Sequence, residues 1–492
     1  MSRFDSHSTR AKVVTSTVAQ LASQAFVSCC AVIALKIMTN TLGITSYGTY
    51  ATAIAFVSIF SLLTDLGINS ITAREIAKYP SKANDIITHN MGLRMALCLI
   101  MVPTIIGLSF IFYSHAQMQL RLSIALVTIY LFFDSARSVM LAYFTAKVRN
   151  DISALVIGAQ QLVFLLLCIT VAIASSSVYG FIISYILCNA TGAVIAFYFT
   201  RKSIVVRPRV NIRQWRGIVA MSLSLGVIEI INVVYLKADS VMLSILKTPS
   251  EVGIYGVAYA IVLGLMTLPS FIMTALMPSM ATSKTTEELG SIVRKAFTYM
   301  VVFACLLPVG GFVVRKDLVL AISGTDFESA ATPFAVLCLA SAFTYLNSVF
   351  GFASVSVNKH HRLVFVSIGA LGLNVVLNLI LIPRYSIDGA AWATAISESL
   401  ALLLVYLVFA NRTGVRVPLL RFTYKPVLAA LATLGVCTWL RLLWDTGSPL
   451  LNTLIAGASV VCVYGALLVM FRALPGEVTE WSGKVIAKIR HG

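Results

Sequence analysis

Charge is scarce in this sequence: Asp, Glu, Lys and Arg together make up 11% of its 492 residues, where a soluble globular chain carries about 25%. Acid is scarcer still, at 19 Asp and Glu against 37 Lys and Arg. This shortage excludes a water-soluble domain of ordinary surface, and with hydrophobic residues at 59% the solvent for most of the chain is lipid. The apolar runs lack the alternation of barrel strands, so the backbone must close its hydrogen bonds within helices. The nine cysteines (Cys29, Cys30, Cys98, Cys168, Cys188, Cys305, Cys338, Cys437 and Cys462) all fall in apolar runs. They read as small hydrophobes, not as a disulfide framework. A Walker A loop, zinc-ligand spacing and Gly-x-Ser-x-Gly are also missing, so catalysis is not expected and no cofactor is called for. No basic stretch is long enough to be a nucleic-acid-binding domain, which excludes nucleic acid as a partner.

What the sequence has instead is long apolar runs bounded by charge, Gly or Pro. They predict an all-α integral membrane protein with fourteen transmembrane helices, at about 13–39, 47–67, 91–113, 121–146, 152–174, 178–200, 217–246, 252–279, 296–314, 330–357, 362–382, 388–410, 425–442 and 450–471. The first run is too long for the core of a signal peptide and is expected to remain as helix one. Basic residues resist translocation and collect on the cytoplasmic side. They fill alternate links here: Arg3 to Lys12, Arg74 to Arg94, Lys147 and Arg149, Arg201 to Arg216, Lys284 to Lys295, Lys359 and Arg362, Arg412 to Lys425, and the tail from Arg472. The opposite face keeps only Arg121, Lys247, Arg315, Lys316, Arg384 and Arg441. Both termini are therefore expected in the cytoplasm, and the formal charge of +18 is explained by topology and by attraction to anionic headgroups.

An internal repeat organises the chain. Tyr47-Gly48 returns as Tyr255-Gly256, Asn150 as Asn358, and Ser177-Val178-Tyr179-Gly180 as Ser386-Ile387-Asp388-Gly389, each at an offset of 208 or 209 positions. Three links sharing one offset indicate a duplicated unit of about six membrane segments, as is common among transporters. The predicted organisation is an N-terminal six-helix lobe over residues 1–200, a basic linker over 201–216, a second six-helix lobe over 217–410, and two further helices with a tail over 411–492.

Four motifs carry a family resemblance. Leu42-Gly43 through Tyr47-Gly48-Thr49-Tyr50-Ala51, and Asp65-Leu66-Gly67 followed by Arg74-Glu75, resemble the opening of polysaccharide flippases of the Wzx type. So do Asp239-Ser240-Val241-Met242-Leu243, and Ile382-Pro383-Arg384-Tyr385 with Gly389-Ala390-Ala391-Trp392-Ala393-Thr394. These proteins, the O-antigen and exopolysaccharide repeat-unit flippases, belong to the multidrug/oligosaccharidyl-lipid/polysaccharide exporter superfamily. The chain departs from them at Ser386, where glycine usually follows the tyrosine. The resemblance implies two lobes opening alternately to either side of a bacterial inner (plasma) membrane. Its implied cargo is an undecaprenyl-pyrophosphate-linked oligosaccharide, moved from the cytoplasmic to the outer leaflet for polysaccharide biosynthesis. Implied partners are that lipid, membrane lipids, a polysaccharide polymerase and a chain-length regulator.

A sugar headgroup cannot cross hydrocarbon with its hydroxyls unpaired, so such a carrier needs a polar interior. Ser16, Gln20, Gln24 and Ser28 recur every four residues along helix one, and Asn374 and Asn378 do so on helix eleven. Each set either lines a passage or bonds neighbouring helices together. Ionisable groups at membrane depth each invite a role. Asp134 and Arg137, three apart in helix four, share a face: either Arg137 meets a pyrophosphate or acidic sugar while Asp134 holds it, or the pair fixes packing. Glu229 and Glu398, near the middles of helices seven and twelve, are candidates for ion coupling or for hydrogen bonds to neighbouring helices. Lys237 is a candidate lining residue, and Asp239, two positions on and facing away, reads as structural. Lys36 snorkels to the interface or serves as a ligand.

Three functions compete on this evidence: the flippase, a drug or small-molecule/cation antiporter on the same fold, and a membrane glycosyltransferase or polymerase. The last would need a substantial extramembrane segment carrying catalytic residues. The longest outer link, about Arg315 to Ser329 with Asp317, Asp326 and Glu328, is short for one.

Overall fold

The structure, a computed structural model, describes residues 3–473 apart from 115–116, 206, 267 and 358–361, and the side chains of these except 3–19, 21, 223–229, 232, 268 and 271. Every regular element among the described residues is helical, and ten helical segments are long and apolar enough to cross a membrane. Large apolar side chains such as Leu99, Ile111, Ile173 and Leu442 point outward, as lipid-facing residues do when hydrocarbon replaces water around a fold.

The chain divides into two compact units, Met1–Gly253 and Ile254–Gly492. The first contains α1 (Arg3–Asp65), α2 (Ile68–Lys78), α3 (Ala83–Phe112), α4 (Met118–Val127), α5 (Tyr130–Ala146), α6 (Asn150–Ala174), α7 (Val178–Thr200), α8 (Ile212–Leu246) and the start of α9 (Pro249–Leu265). The second contains the rest of α9, then α10 (Leu268–Ala281), α11 (Thr286–Ser323), α12 (Ala331–Ser356), α13 (Leu363–Thr413), α14 (Leu419–Leu443) and α15 (Pro449–Met470).

Two of these helices are pairs of rods. α1 breaks at Gly43 (φ 70°, ψ 177°), inside the first motif, a backbone state open to glycine at little cost. α13 breaks at Ser386 (φ 50°, ψ −125°), where the resemblance calls for glycine. Both breaks need fewer residues than the links read from the sequence. Just past the first break, Gly48 faces the start of α9 so closely that a Cβ there would sit 1.7 Å from the Pro249 carbonyl oxygen. Only glycine permits that crossing.

Helix ends differ from expectation where polar residues cap or pair. α3 starts at Ala83, not near 91, and carries His89, Asn90 and Arg94 as buried residues of the helix. α11 starts at Thr286, not near 296. The Thr285 hydroxyl accepts from the Glu288 N–H at 3.1 Å, and the Glu288 carboxylate accepts from the Lys284 N–H at 2.8 Å, close to the reciprocal arrangement of a capping box. The same helix runs on to Ser323, so Arg315, Lys316 and Asp317 are helical, and the expected outer link shrinks to a short 3-10 turn, Thr325–Ala330.

The basic linker is fastened to the first unit. The Val205 N–H donates to Asn84 Oδ1 at 2.9 Å, the Arg209 N–H to the Thr88 carbonyl at 3.2 Å, and the Trp215 indole N–H to the His89 carbonyl at 3.2 Å. In the second unit, Phe350 stacks among Phe297, Tyr406 and Phe409 at centroid distances of 5.5, 5.1 and 5.4 Å. The two terminal helices α14 and α15 pack on α11 through Val309, Ala429, Cys437, Val460 and Tyr464. A polar clamp completes that contact: Arg441 Nη2 reaches both carboxylate oxygens of Asp317 at 2.9 Å, and Asn452 Nδ2 bonds Asp445 Oδ1 at 2.8 Å.

Candidate functional site

α5 supplies the centre of the site. α4 and α5 are separated by a turn at Thr128 and Ile129, where the Leu131 N–H bonds the Thr128 carbonyl at 3.1 Å in the tighter i→i+3 pattern. One turn later Arg137 Nη2 donates to Asp134 Oδ1. The spacing of three puts the two on one face, as the sequence indicates. Their side chains keep 17% and 27% of their exposure, so the pair is neither sealed in the core nor open to bulk solvent.

Two further helices close on this pair with amides. Gln160 Nε2, near the middle of α6, donates to Asn189 Oδ1 in α7 at 3.2 Å, and Asn189 Nδ2 donates to the Tyr185 carbonyl at 2.8 Å. Gly192 on α7 makes the approach possible, because a Cβ there would lie 2.5 Å from Gln160 Oε1 and 2.9 Å from Arg137 Cδ. Arg137 Nε and Gln160 Oε1 are buried without a hydrogen-bond partner among the described residues. An unmet donor and an unmet acceptor side by side offer a polyol both kinds of bond. Aromatic rings flank the cluster: Tyr185 meets Tyr130 at 5.2 Å and Phe164 at 6.2 Å, both edge-on.

A second charged network, centred on α3, reaches the same helix through Ser138. Arg94 of α3, only 1% exposed, pairs with Asp65 at 3.0 Å and donates to Asn69 Oδ1 at 2.8 Å and Ser138 Oγ at 2.6 Å. The Ser138 hydroxyl in turn donates to the Asp134 carbonyl at 2.8 Å. Asp65 opens the turn Asp65-Leu66-Gly67, where Leu66 (φ 45°) and Gly67 (φ 75°) take left-handed backbone. The second family motif thus ends in a buried ion pair that fixes the α1–α2 corner against α3 and α5.

The other expected residues are dispersed. Lys36 and Gln20 are exposed on α1, and Gln24 and Ser28 are partly buried; the side chains of Ser16 and Glu229 lie outside the described residues. On α8, Lys237 is partly buried and Asp239 is buried. In α13, Asn374 and Asn378 are fully buried, with Asn378 Nδ2 donating to Asn374 Oδ1 at 3.0 Å, and Glu398 is 9% exposed. Sequence reasoning missed Gln160, Asn189 and Gly192. The signal was an amide near the middle of each of two apolar runs. It also counted Arg94 as a link charge, and Arg94 is instead buried. Of the bases counted on the outer face, Arg121 is bonded to the Tyr113 carbonyl at 2.9 Å and Arg441 is clamped to Asp317.

The second unit holds an apolar groove of about 830 Å³ between α11, α12 and α14, with Phe312, Phe343, Leu346, Trp392 and Leu431 in its walls. Among the described residues its one charged lining residue is Arg315, whose guanidinium stacks on Phe312 at 3.7 Å.

Comparison with known proteins places this geometry. The model of the family described as polysaccharide biosynthesis protein matches residues 13–284. The chain belongs to that family. The chain is 27% identical over 177 residues to the probable flippase AglR of Haloferax volcanii. That match spans 35% of this chain and 37% of the relative's length. Among solved structures, the fold is similar to the lipid II flippase MurJ in an inward closed conformation (TM-score 0.77, 13% identity, 93% of this chain and 99% of that one). It is also similar to an inward-facing multidrug resistance MATE family transporter of the MOP superfamily (TM-score 0.64, 14% identity, 81% and 98%). The chain is a multi-pass helical membrane protein of the polysaccharide biosynthesis family.

Proposed function

We propose that this chain carries an undecaprenyl-pyrophosphate-linked oligosaccharide from the cytoplasmic to the outer leaflet of a bacterial plasma membrane by alternating access, through fourteen spans with both termini cytoplasmic. The observation that supports this most is the cluster of Asp134, Arg137, Gln160 and Asn189 near the middle of apolar helices, with a buried donor and a buried acceptor left unpaired. Such groups are costly in hydrocarbon unless a polar cargo meets them. Arg137 presents a planar donor set suited to phosphate or carboxylate, and Asp134 fixes its orientation. Tyr130, Phe164 and Tyr185 supply apolar faces for sugar rings. Within the second unit, the apolar groove beside α14 has the character a polyprenyl chain needs of its bed.

In this reading Lys36, Lys237, Gln20, Gln24 and Asn374 belong to the polar route, Asp239 is structural, and Glu229 and Glu398 are the candidates for ion coupling. The relatives support the cargo class: the family's description concerns polysaccharide biosynthesis, and AglR is named a probable flippase. The polymerase and chain-length regulator follow as partners acting on the delivered repeat unit.

The test is a deletion strain. An undecaprenyl-linked glycan should accumulate on the cytoplasmic leaflet, with its headgroup identified by mass spectrometry, and re-expression should clear it. The antiporter reading, which the MATE-like fold also accommodates, makes the opposite forecast: drug efflux from vesicles with no movement of a lipid-linked glycan.

A further inference from the structure

A second polar cavity lies in the first unit, at its basic end and away from the Asp134–Arg137 cluster. It has a volume of about 390 Å³ and is formed where the end of α2 and the 3-10 turn Pro80–Lys82 meet the start of α3, the end of α5 and the beginning of the basic linker. Its polar lining consists of Lys147, Ser81, Ser203 and Asn84 together with the Tyr143 hydroxyl, and its floor includes Ile76 and Ile204. No carboxylate lines it among the described residues.

Two of these groups are held so that they can donate. The Lys147 ammonium sits 4.3 Å over the Tyr143 ring and bonds that ring's hydroxyl. Asn84 Oδ1 already accepts from the Val205 N–H, which leaves its Nδ2 as a donor. Next to lining residues in sequence, Lys78 and Lys82 stand 5.0 and 5.7 Å from the Tyr79 ring, and Arg201 and Lys202 stand 4.8 and 4.7 Å from Tyr198. The acids next to it in sequence are each set against a base: Asp151 against Arg149 at 2.9 Å, Asp85 against the His89 imidazole at 3.3 Å and Glu75 against Arg74 at 3.7 Å. Donors beside the apolar Ile76 and Ile204, close to the ends of membrane-length helices, match a phosphate attached to a glyceryl and acyl stem.

We infer that this cavity binds the headgroup of an anionic phospholipid from the surrounding leaflet, with Lys147 as the central contact. Occupancy ties the linker to α2, α3 and α5, because the cavity has a wall from each. The inference is independent of what the protein transports.

The experiment uses the full-length protein in detergent, with dioleoyl phosphatidylglycerol, dioleoyl phosphatidylcholine or soluble glycerol 3-phosphate added, reading retained adducts by native mass spectrometry and melting temperature in parallel. Phosphatidylglycerol should be retained over phosphatidylcholine and should raise the melting temperature. Lys147→Ala should lower its retention about fivefold, the share of one basic residue near a headgroup, while Lys147→Arg should keep most of it. Arg416→Ala, which removes an exposed basic residue of the second unit, should leave retention unchanged. Equal retention of the two lipids, an equal loss in Arg416→Ala, or displacement of phosphatidylglycerol by millimolar glycerol 3-phosphate would each overturn the assignment. The unliganded melting temperature of Lys147→Ala, expected to equal that of the wild type, separates lost binding from lost folding.

Discussion

Gly192 of α7 rests against Arg137 of α5, with room for nothing larger: an added Cβ would fall 2.9 Å from Arg137 Cδ and 2.5 Å from Gln160 Oε1. Gly192→Ala must therefore displace the guanidinium, the amide or α7 itself, a strain of about 1–3 kcal/mol. Glycan export per copy of protein in the membrane fraction should fall about tenfold, the effect of roughly 1.4 kcal/mol on a step that depends on this geometry. Gly192→Val should do more damage. Unchanged export at equal membrane abundance would show that the fit of α7 to Arg137 does not matter for transport.

Arg137→Ala separates cargo binding from packing. It removes the cation and leaves the half-buried Asp134 without its partner. Glycan export should be abolished while membrane insertion and abundance hold. Arg137→Lys, which keeps the charge but loses the planar donor fork, should retain a minor fraction. Complementation of a deletion strain, scored by surface polysaccharide and by membrane immunoblot, decides the matter; normal export by Arg137→Ala would remove it from the site.

The helical class, the membrane setting and most spans were legible because hydropathy writes them directly into composition and run length. Asp134 with Arg137 was legible because a spacing of three fixes a shared face whatever the neighbours do. What surrounds them was not. Gln160, Asn189 and Gly192 acquire meaning only once α6 and α7 lie beside α5, a long-range fact that no local period encodes. Charge counting misled at Arg94 for a related reason: it set this base in a link, whereas Asp65, Asn69 and Ser138 hold it buried inside α3. The same bias shortened α3 and α11, whose polar first turns looked like links but are helix.

Ser386 shows how a departure from a family motif becomes a forecast. It holds φ at 50° in the break of α13, a backbone state that costs a residue with a Cβ about 1 kcal/mol or more and glycine almost nothing. Ser386→Gly should stabilise the protein by about 1 kcal/mol, less the small entropic cost of glycine in the unfolded chain, and Ser386→Val should destabilise it by more. Thermal melting in detergent reads both. A lower melting temperature for Ser386→Gly would mean that the serine side chain contributes more than its backbone costs.

The clamp between Asp317 and Arg441 calls for a double-mutant cycle. Arg441 reaches both carboxylate oxygens of Asp317 and also the Trp444 carbonyl at 2.8 Å, with side-chain exposures of only 25% and 11% for the pair. Removing one partner strands the other in a partly desolvated site, so Arg441→Met and Asp317→Leu should each cost about 3 kcal/mol. The double variant replaces a charged pair by apolar contacts and should cost only about 2 kcal/mol, less than either single, which is a coupling of about 4 kcal/mol between the sites. Since α14 walls the apolar groove and Arg441 fastens its end to α11, the single variants should also lose glycan export out of proportion to their abundance, and the double variant should regain abundance first. Additive losses in melting temperature across the cycle would show that the two residues stabilise the terminal helices separately, with no clamp between them.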